Sequence, residues 1–424
     1  MTRFLLKGLI RDRSRSLFPV LTVLAGVMLT VILYSWIEGV TEDMIKANAN
    51  FDTGHVKIMS HAYAEMADQI PNDLALTGLS DLLHELNTTF ADMVWTPRIK
   101  FVGLLDIPDE NGETRAQGPT IGLAVDLLSP NSLERYILNL DNAVVRGRLP
   151  ERSGEVVISD EFAERLDVTI GETATLIGST MYGSMAAHNF TVVGTIRFGL
   201  RAMDRGSMIA DISDIQFALD MDDAAGEILG FFDDFFYYQQ RAEDVAAIFT
   251  SNYFRQDDEF SPVMMTLRSQ SGLGELLDLM NLFSGIVITI FVAAMSIVLW
   301  NAGLIGSLRR YGEIGVRLAI GEHKGHLYRS MVAESLIIGC FGSILGTTIG
   351  LVIAYYLQVK GFDISSMLRN ASMMISDVMR ARVTPTSFVI GFVPGLFATF
   401  LGTSISGIGI YKRQTSPLMK ELEV

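Results

Sequence analysis

Four stretches of this chain run without a charged residue, and their lengths set the architecture. The stretch between Arg15 and Glu38 has 22 residues, and the one between Asp278 and Arg309 has 30. Ser335–Val359 adds 25 and Val383–Tyr411 adds 29. A helix rises about 1.5 Å per residue and the hydrocarbon core of a bilayer is about 30 Å, so roughly 20 residues suffice to cross. The pattern predicts transmembrane helices at 17–38, 273–306, 329–359 and 385–411, with one large insertion, 39–272, between the first two. Inside the insertion the period changes. Short alternating or apolar runs at His55–Met59, Glu155–Ser159, Thr173–Ile177, Phe190–Ile196 and Gly206–Ile212 predict strands, and Asp160–Leu166 and Ser213–Leu219 predict short helices. The expected fold class is a membrane α-helical protein with a mixed α/β domain inserted between helices 1 and 2.

The edges of these elements carry further signals. Residues 1–16 alternate basic and apolar positions, which suits a short helix on the membrane surface before the chain turns into the bilayer at Pro19. Glu38–Asn50 and Leu273–Met280 predict helical stalks leading out of and back into the membrane. Gly339, Gly342, Gly346 and Gly350, then Gly391, Gly395, Gly402 and Ser406, form stripes of small residues. They predict close packing of the third and fourth helices, with a seam between subunits as the other reading. Within the short loop 360–384, Met367–Met379 has one apolar face and predicts a helix resting on the outer leaflet.

Charge then fixes the orientation. Hydrophobic residues make up 49% of the chain and charged ones 19%, against about 25% charged in a soluble domain. The net charge of −15 is unevenly held: Glu38–Glu275 carries 16 Lys and Arg against 39 Asp and Glu. So acidic a domain excludes nucleic acid as a partner, because phosphate binding needs a basic surface. Basic residues cluster before the first helix (Arg3, Lys7, Arg11, Arg13, Arg15), in the loop 307–328 and in the tail 412–424. With four crossings all three lie on one side, the cytoplasm, and the insertion faces outward. The outer segment 360–382 departs from the rule, with Lys360, Arg369, Arg380 and Arg382 against two acidic residues. The first apolar stretch exceeds the 7–15 residues of a signal-peptide core and no A-x-A site follows, so it reads as an uncleaved anchor. The single cysteine, Cys340, lies in the third helix, leaving the insertion without a disulfide.

Chemistry-bearing residues are few. His323 and His326 are three apart with no third ligand near them, so ordinary surface histidines are expected and no metal site. No Ser/His/Asp or Cys/His arrangement emerges, so no catalytic residue is expected. Glu334 stands at a membrane edge, where pairing with Arg329 or a loop arginine is the expected structural role and a proton relay the alternative. The cytoplasmic loop alternates charged and apolar positions: Arg309, Arg310, Glu313 and Arg317 with Ile314, Val316, Leu318 and Ile320. Such a segment suits a groove on a soluble partner, since arginine reaches carboxylates at two points. The plainer reading is a basic loop that only sets topology.

That loop reads Ser307-Leu-Arg-Arg-Tyr-Gly-Glu-Ile-Gly-Val-Arg-Leu-Ala-Ile-Gly321, and it resembles the R-R-x-E-I-G-x-R-x-A-x-G pattern of the MacB/FtsX/Lol-type ABC transporter permeases, the mechanotransmission type. It departs in Glu322, where the family has a small residue, and in Gly312, which lengthens the spacing. Val145-Arg-Gly-Arg-Leu-Pro150, Gly154-Glu-Val-Val-Ile158, Val168-Thr-Ile-Gly-Glu172 and Phe190-Thr-Val-Val-Gly194 are similar to the family's outer domain, and Ser416–Leu422 to its closing segment. The resemblance implies that Arg309, Arg310, Glu313, Ile314, Arg317 and Ile320 form a coupling helix that receives motion from an ATPase. No G-x-x-x-x-G-K-[ST] occurs, so ATP and magnesium are expected on a separate ATPase subunit, present in two copies, and no cofactor in this chain. It also implies a second permease subunit, identical or not, and a place in the bacterial inner membrane with the insertion in the periplasm.

Within the family, Trp36-Ile-Glu-Gly-Val40 and Thr53-Gly-His-Val-Lys-Ile58 resemble the Lol-type lipoprotein-releasing permeases, LolC/LolE-like. That implies a lipoprotein or other lipophilic cargo drawn sideways from the outer leaflet and passed to a periplasmic chaperone. Met28, Ile32, Trp36, Phe283, Ile286 and Phe291 are the candidates to face it, with lipid contact or helix packing as their plainer role. Two rivals remain open: MacB-like export of periplasmic peptides, toxins or siderophores with an adaptor, and FtsX-like signalling to a cell-wall hydrolase.

Overall fold

The computed structural model describes residues 13–199, 201–255, 257–270, 272–308, 311–363 and 378–412. The first helix, α1 (Arg13–Asn48), passes through Pro19 without a break. The turn expected there is therefore absent. Proline withholds one N–H from the carbonyl a turn earlier, a loss that membrane helices tolerate. Residues 1–12 of the expected surface helix lie outside the described part, and 13–16 are the first turn of α1. Among the described residues four helices are long and apolar enough to cross a membrane, so the chain is a multi-pass membrane protein. Of the described residues, those up to Asp43, Asp278–Phe362 and those from Met379 form one compact unit, and Met44–Leu277 form the body of another.

The second unit is built on a ten-stranded sheet: β1 (Val56–Ser60), β2 (Met93–Pro108), β3 (Thr114–Val125), β4 (Val144–Gly147), β5 (Glu155–Ser159), β6 (Thr173–Ser179), β7 (Met185–Ile196), β8 (Ser207–Asp211), β9 (Glu227–Phe232) and β10 (Pro262–Thr266). Their order is β10–β1–β9–β2–β3–β8–β5–β7–β4, and β6 joins β2 to β7. Strands β2, β3, β8, β5, β7 and β6 thereby close a ring. Pairing is antiparallel except at β3–β8 and β5–β7. Helices α2 (Leu79–Thr89), α3 (Asp160–Leu166), α4 (Ile212–Ala218) and α5 (Gln239–Tyr253) accompany the sheet. Ser159 opens α3 by accepting from the N–H of Phe162 at 3.2 Å, and Asp211 opens α4 by accepting from Ser213 at 3.0 Å. Such caps stabilise a helix start by about 1 kcal/mol. The core between these elements includes Phe101, Phe162 and Phe190, all at most 1% exposed.

All five expected strands are present. Strands β2, β3, β4, β9 and β10 were not among the expected ones; β2 and β3 contain Pro97, Gly103, Pro108, Gly118, Pro119 and Gly122, residue types that weaken a strand pattern. The glycines answer to packing instead. A Cβ at Gly103 would lie 2.7 Å from the Ile177 carbonyl oxygen, and one at Gly122 would overlap the Phe101 ring.

In the first unit, α6 (Leu273–Leu308, begun in the second unit) is followed by α7 (Tyr311–Ala319), α8 (Lys324–Lys360) and α9 (Phe392–Lys412). The glycine stripe of α8 faces α1. A Cβ at Gly342 would lie 2.7 Å from Val23 Cβ, and one at Gly346 would lie 2.7 Å from the Leu24 carbonyl oxygen. Gly339, one turn earlier, meets Thr399 of α9, and Gly395 of α9 meets Val27 of α1. The expected close packing of the third and fourth helices is present between α8 and α9, and α1 in addition fills most of the α8 stripe. By contrast, no residue in the apolar window of α6 is buried. The segment before α9 is tied to acids of α1: the Arg382 side chain pairs with Glu42, and the backbone N–H of Arg380 donates to Asp43 at 3.0 Å. One of the basic charges that depart from the loop-charge rule, Arg382, is thereby neutralised. Residues 367–377 of the expected Met367–Met379 helix lie outside the described part, and Val378–Met379 at its end form a short strand rather than helix.

Candidate functional site

The segment between α6 and α8 folds as a short amphipathic helix with a defined end. Leu318 packs on buried Leu327 and Met331 near the start of α8, anchoring α7 by its inner face. Val316 (49% exposed) and Ile320 (81%) are left uncovered, with the exposed Arg317 between them. Exposed isoleucines are common singly, but two apolar residues beside an arginine on one short helix make an interface-like surface. The helix ends in a Schellman motif: the N–H of Glu322 bonds to the Arg317 carbonyl at 3.0 Å and that of Gly321 to Leu318 at 3.1 Å. Gly321 has φ +97°, which explains a glycine after Ala319-Ile320. Arg317 Nε lies 4.0 Å from Glu322 Oε2, so the residue that departs from the family pattern faces the arginine. Glu313 and Ile314 lie in α7 with side chains outside the described part, as do Arg309 and Arg310 entirely. His323 Nδ1 accepts from the N–H of Gly325 at 3.4 Å and so caps α8, while His326 lies 3.9 Å from Glu322. Among the described residues no cluster of three ligands is placed to hold a metal. Glu334 is half-buried in α8.

The six residues proposed to face cargo are spread over two helices. Met28, Ile32 and Trp36 are half-buried on α1, where Trp36 meets Phe362 edge to face at 6.2 Å. Phe283 and Ile286 are exposed on α6 and Phe291 is half-buried. Among the described residues the two trios share no aromatic contact.

The second unit holds a site that sequence reading missed, at the end of α1. After Asn48 the chain makes one wider turn, Ala49–Thr53, and leaves it through Gly54 at φ +59°. A Cβ at Gly54 would lie 2.6 Å from the Val56 carbonyl oxygen, so both the angle and the space demand glycine. Arg98 of β2, fully buried, donates from Nη1 to the carbonyl of Phe51 at 3.0 Å and from Nη2 to that of Asn50 at 2.9 Å. Its charge is met by Glu134, 1% exposed, through Nε and Nη2, both at 2.8 Å. Cations at a helix C-terminus are favoured by the helix dipole. Asp52 pairs with Lys57 of β1 and Lys100 of β2, and both lysines reach Glu227 of β9, at 3.0 and 3.1 Å. Burial would raise the Glu227 carboxyl, but Lys100 and Lys57 hold it below its usual value. Burial would lower Lys100, yet Glu227 and Asp52 hold it above the usual lysine range. His55 is buried and its pKa falls from 6.5 to about 4, chiefly by desolvation. Its Nδ1 accepts from the N–H of Phe232 at 3.0 Å, so the neutral ring is the working form. The run Thr53–Ile58 thus has a physical reading: a glycine turn, a neutral acceptor, and an inward lysine. The signal for this site was Lys57 and Glu227, charges set inside otherwise apolar strands.

Residues 16–248 match the family described as MacB-like periplasmic core domain, and residues 285–415 match the FtsX-like permease C-terminal family. An uncharacterized ABC transporter permease of Methanocaldococcus jannaschii is 29% identical over 130 residues, which is 29% of this chain and 32% of that protein. The macrolide export ATP-binding/permease protein MacB of Hyphomonas neptunium is 29% identical over 115 residues, 26% of this chain and 17% of that one. The chain therefore spans well under two thirds of the length of either relative. The periplasmic region of MacB from Actinobacillus actinomycetemcomitans aligns with 53% of this chain and 94% of its own, at 12% identity and a TM-score of 0.36.

Proposed function

The chain belongs to the MacB-like periplasmic core domain family and carries an FtsX-like permease C-terminal region, and from that premise we propose that it is the membrane permease of an ATP-driven transporter. One observation carries the reading: the exposed Val316, Arg317 and Ile320 of a helix anchored by Leu318 and closed by Gly321. This surface docks a soluble ATPase, with Arg309, Arg310, Glu313 and Ile314 completing it. The ATPase, two copies of a separate chain, holds ATP and magnesium. Two permease chains, identical or different, complete the assembly in the inner membrane, with termini in the cytoplasm and the outer domain in the periplasm.

The cargo is a lipoprotein or another lipophilic molecule taken from the outer leaflet. Support comes from α6, whose apolar window has no buried residue and which exposes Phe283 and Ile286, and from the Thr53–Ile58 run. A second reading, MacB-like export of a periplasmic compound, is favoured by the macrolide exporter among the relatives. Co-purification with the partner ATPase tests the permease reading: Arg317→Glu and Ile320→Asp should release the ATPase while leaving the melting temperature of the chain unchanged. Retention of the ATPase by both variants would sink it. Mass spectrometry of the bound cargo then separates the two transport readings, since acylated peptides belong to the first and small periplasmic compounds to the second.

A further inference from the structure

The outer domain carries a cavity of about 340 Å³, lined by α2 and the residues before it, the end of α5 and the start of β10. Leu76, Leu82 and Pro262 give it an apolar floor, and Phe260, 54% exposed, forms part of its wall. Glu85 and Tyr253 supply the polar side, joined by a hydrogen bond from the Tyr253 hydroxyl to Glu85 Oε2 at 2.8 Å. Stacking of Tyr253 on Phe249 at 4.6 Å fixes that ring and thereby the position of the carboxylate. A cavity of this size with an apolar floor and one oriented charge has the make-up of a binding pocket for a single side chain and its neighbours.

Charge decides what it would hold. The segments that supply the walls, 73–89 and 253–262, carry Asp73, Asp81, Glu85, Asp257, Asp258 and Glu259 against one basic residue, Arg255. Asp257, Asp258 and Glu259 are all exposed and lead directly into Phe260. An acidic rim attracts cations from a distance and repels acidic chains, whereas the apolar floor rewards a desolvated side chain. We propose that this cavity docks a cationic peptide segment, one apolar side chain seated on Leu76 and Leu82 and flanking lysines or arginines meeting Glu85 and the 257–259 loop. The inference goes beyond the permease reading and stands whether or not that reading holds.

The test uses the intact chain in a non-ionic detergent and a fluorescein-labelled peptide, acetyl-Lys-Leu-Lys-Phe-Lys-amide, followed by fluorescence polarisation against empty micelles. Saturable binding is expected that weakens with added salt, and the peptide with glutamates in place of lysines should not bind. Glu85→Lys should weaken binding by about tenfold, the scale of one lost charged hydrogen bond. Glu85→Gln keeps an oxygen for Tyr253 while deleting the charge, so weaker binding with unchanged melting isolates the electrostatic part. Phe260→Ala should weaken binding too. No saturable binding above empty micelles, equal binding of the acidic peptide, or indifference to Glu85→Lys would each overturn the proposal. Displacement by an uncharged monoacylglycerol with affinity unmoved by Glu85→Lys would assign the cavity to lipid instead and overturn it as well.

Discussion

Arg98 and Glu134 meet at two points, Nε to Oε1 and Nη2 to Oε2, both at 2.8 Å and both shut off from solvent. The same guanidinium closes the carbonyls of Asn50 and Phe51, so four of its N–H contacts are spent on one junction. A buried ion pair is weak evidence for stability in itself, but removing one partner strands the other in a low dielectric. The junction therefore acts as a fastening: the last turn of α1 follows the strand that carries Arg98.

Arg98→Met should destabilise the outer unit by about 3–5 kcal/mol, because Glu134 is left buried and unpaired. Urea unfolding of the intact chain in detergent, read through Trp95 on β2 with Trp36 and Trp300 replaced by phenylalanine, gives the midpoint. The double variant Arg98→Met/Glu134→Leu should recover part of the loss. A midpoint unmoved by the single change would mean that the pair is not the fastening described.

His55 sets an acid limit. Its pKa lies at about 4 in the folded chain against 6.5 in the unfolded one, with burial the main cause. The unfolded state therefore takes up the proton first. The stabilising contribution is whole above pH 6.5, shrinks as pH falls toward 4, and is gone below that, amounting to about 3 kcal/mol at most. Glu227, whose folded carboxyl is also depressed, loses its contribution below the usual carboxylate value of 4.5, further down the scale. His55→Asn should flatten the stability profile between pH 6.5 and 4.5. A profile of unchanged slope in that window would place the acid sensitivity elsewhere.

Gly346 of α8 and Gly285 of α6 make opposite predictions. A Cβ at Gly346 would lie 2.7 Å from the Leu24 carbonyl oxygen, whereas nothing lies within 4 Å at Gly285. Gly346→Val should force α1 and α8 apart and cost about 1–3 kcal/mol, lowering the melting temperature in detergent. Gly285→Ala should leave it unchanged. Equal melting of both variants and the parent would deny the α1–α8 contact.

Membrane crossings were legible because absence of charge over twenty residues has few other causes. The strand Glu155–Ser159 was legible for the same kind of reason: its short Val-Val-Ile run is buried on both faces. The β2–β3 hairpin was not, because its glycines answer to distant partners, Ile177 and Phe101, which no local window contains. Glu42 and Arg382 are 340 positions apart, so their pairing could only register as an anomaly of loop charge. Arg98 and Glu134 gave no local sign, since a single arginine or glutamate in a sequence is ordinary until burial is known. The segment 307–321 was the reverse case: its residue types carried the expectation of a coupling helix, and the structure adds that Leu318 faces inward while Val316, Arg317 and Ile320 do not.

Gly321 offers the most direct test of that segment. Its φ of +97° closes α7, and the N–H groups of Gly321 and Glu322 complete the last turn. A side chain there meets nothing within 4 Å, so any effect of substitution comes from the backbone alone. A β-branched residue held at positive φ costs about 1–3 kcal/mol, enough to unwind the last turn and displace Ile320 and Arg317. Asparagine tolerates positive φ and keeps the turn. Gly321→Val should therefore lower ATPase binding about tenfold, and nucleotide hydrolysis by the assembled complex with it, while Gly321→Asn stays near the parent. Should valine and asparagine behave alike, the end of α7 is not part of the coupling surface, and the weight would shift to the segment's N-terminal arginines.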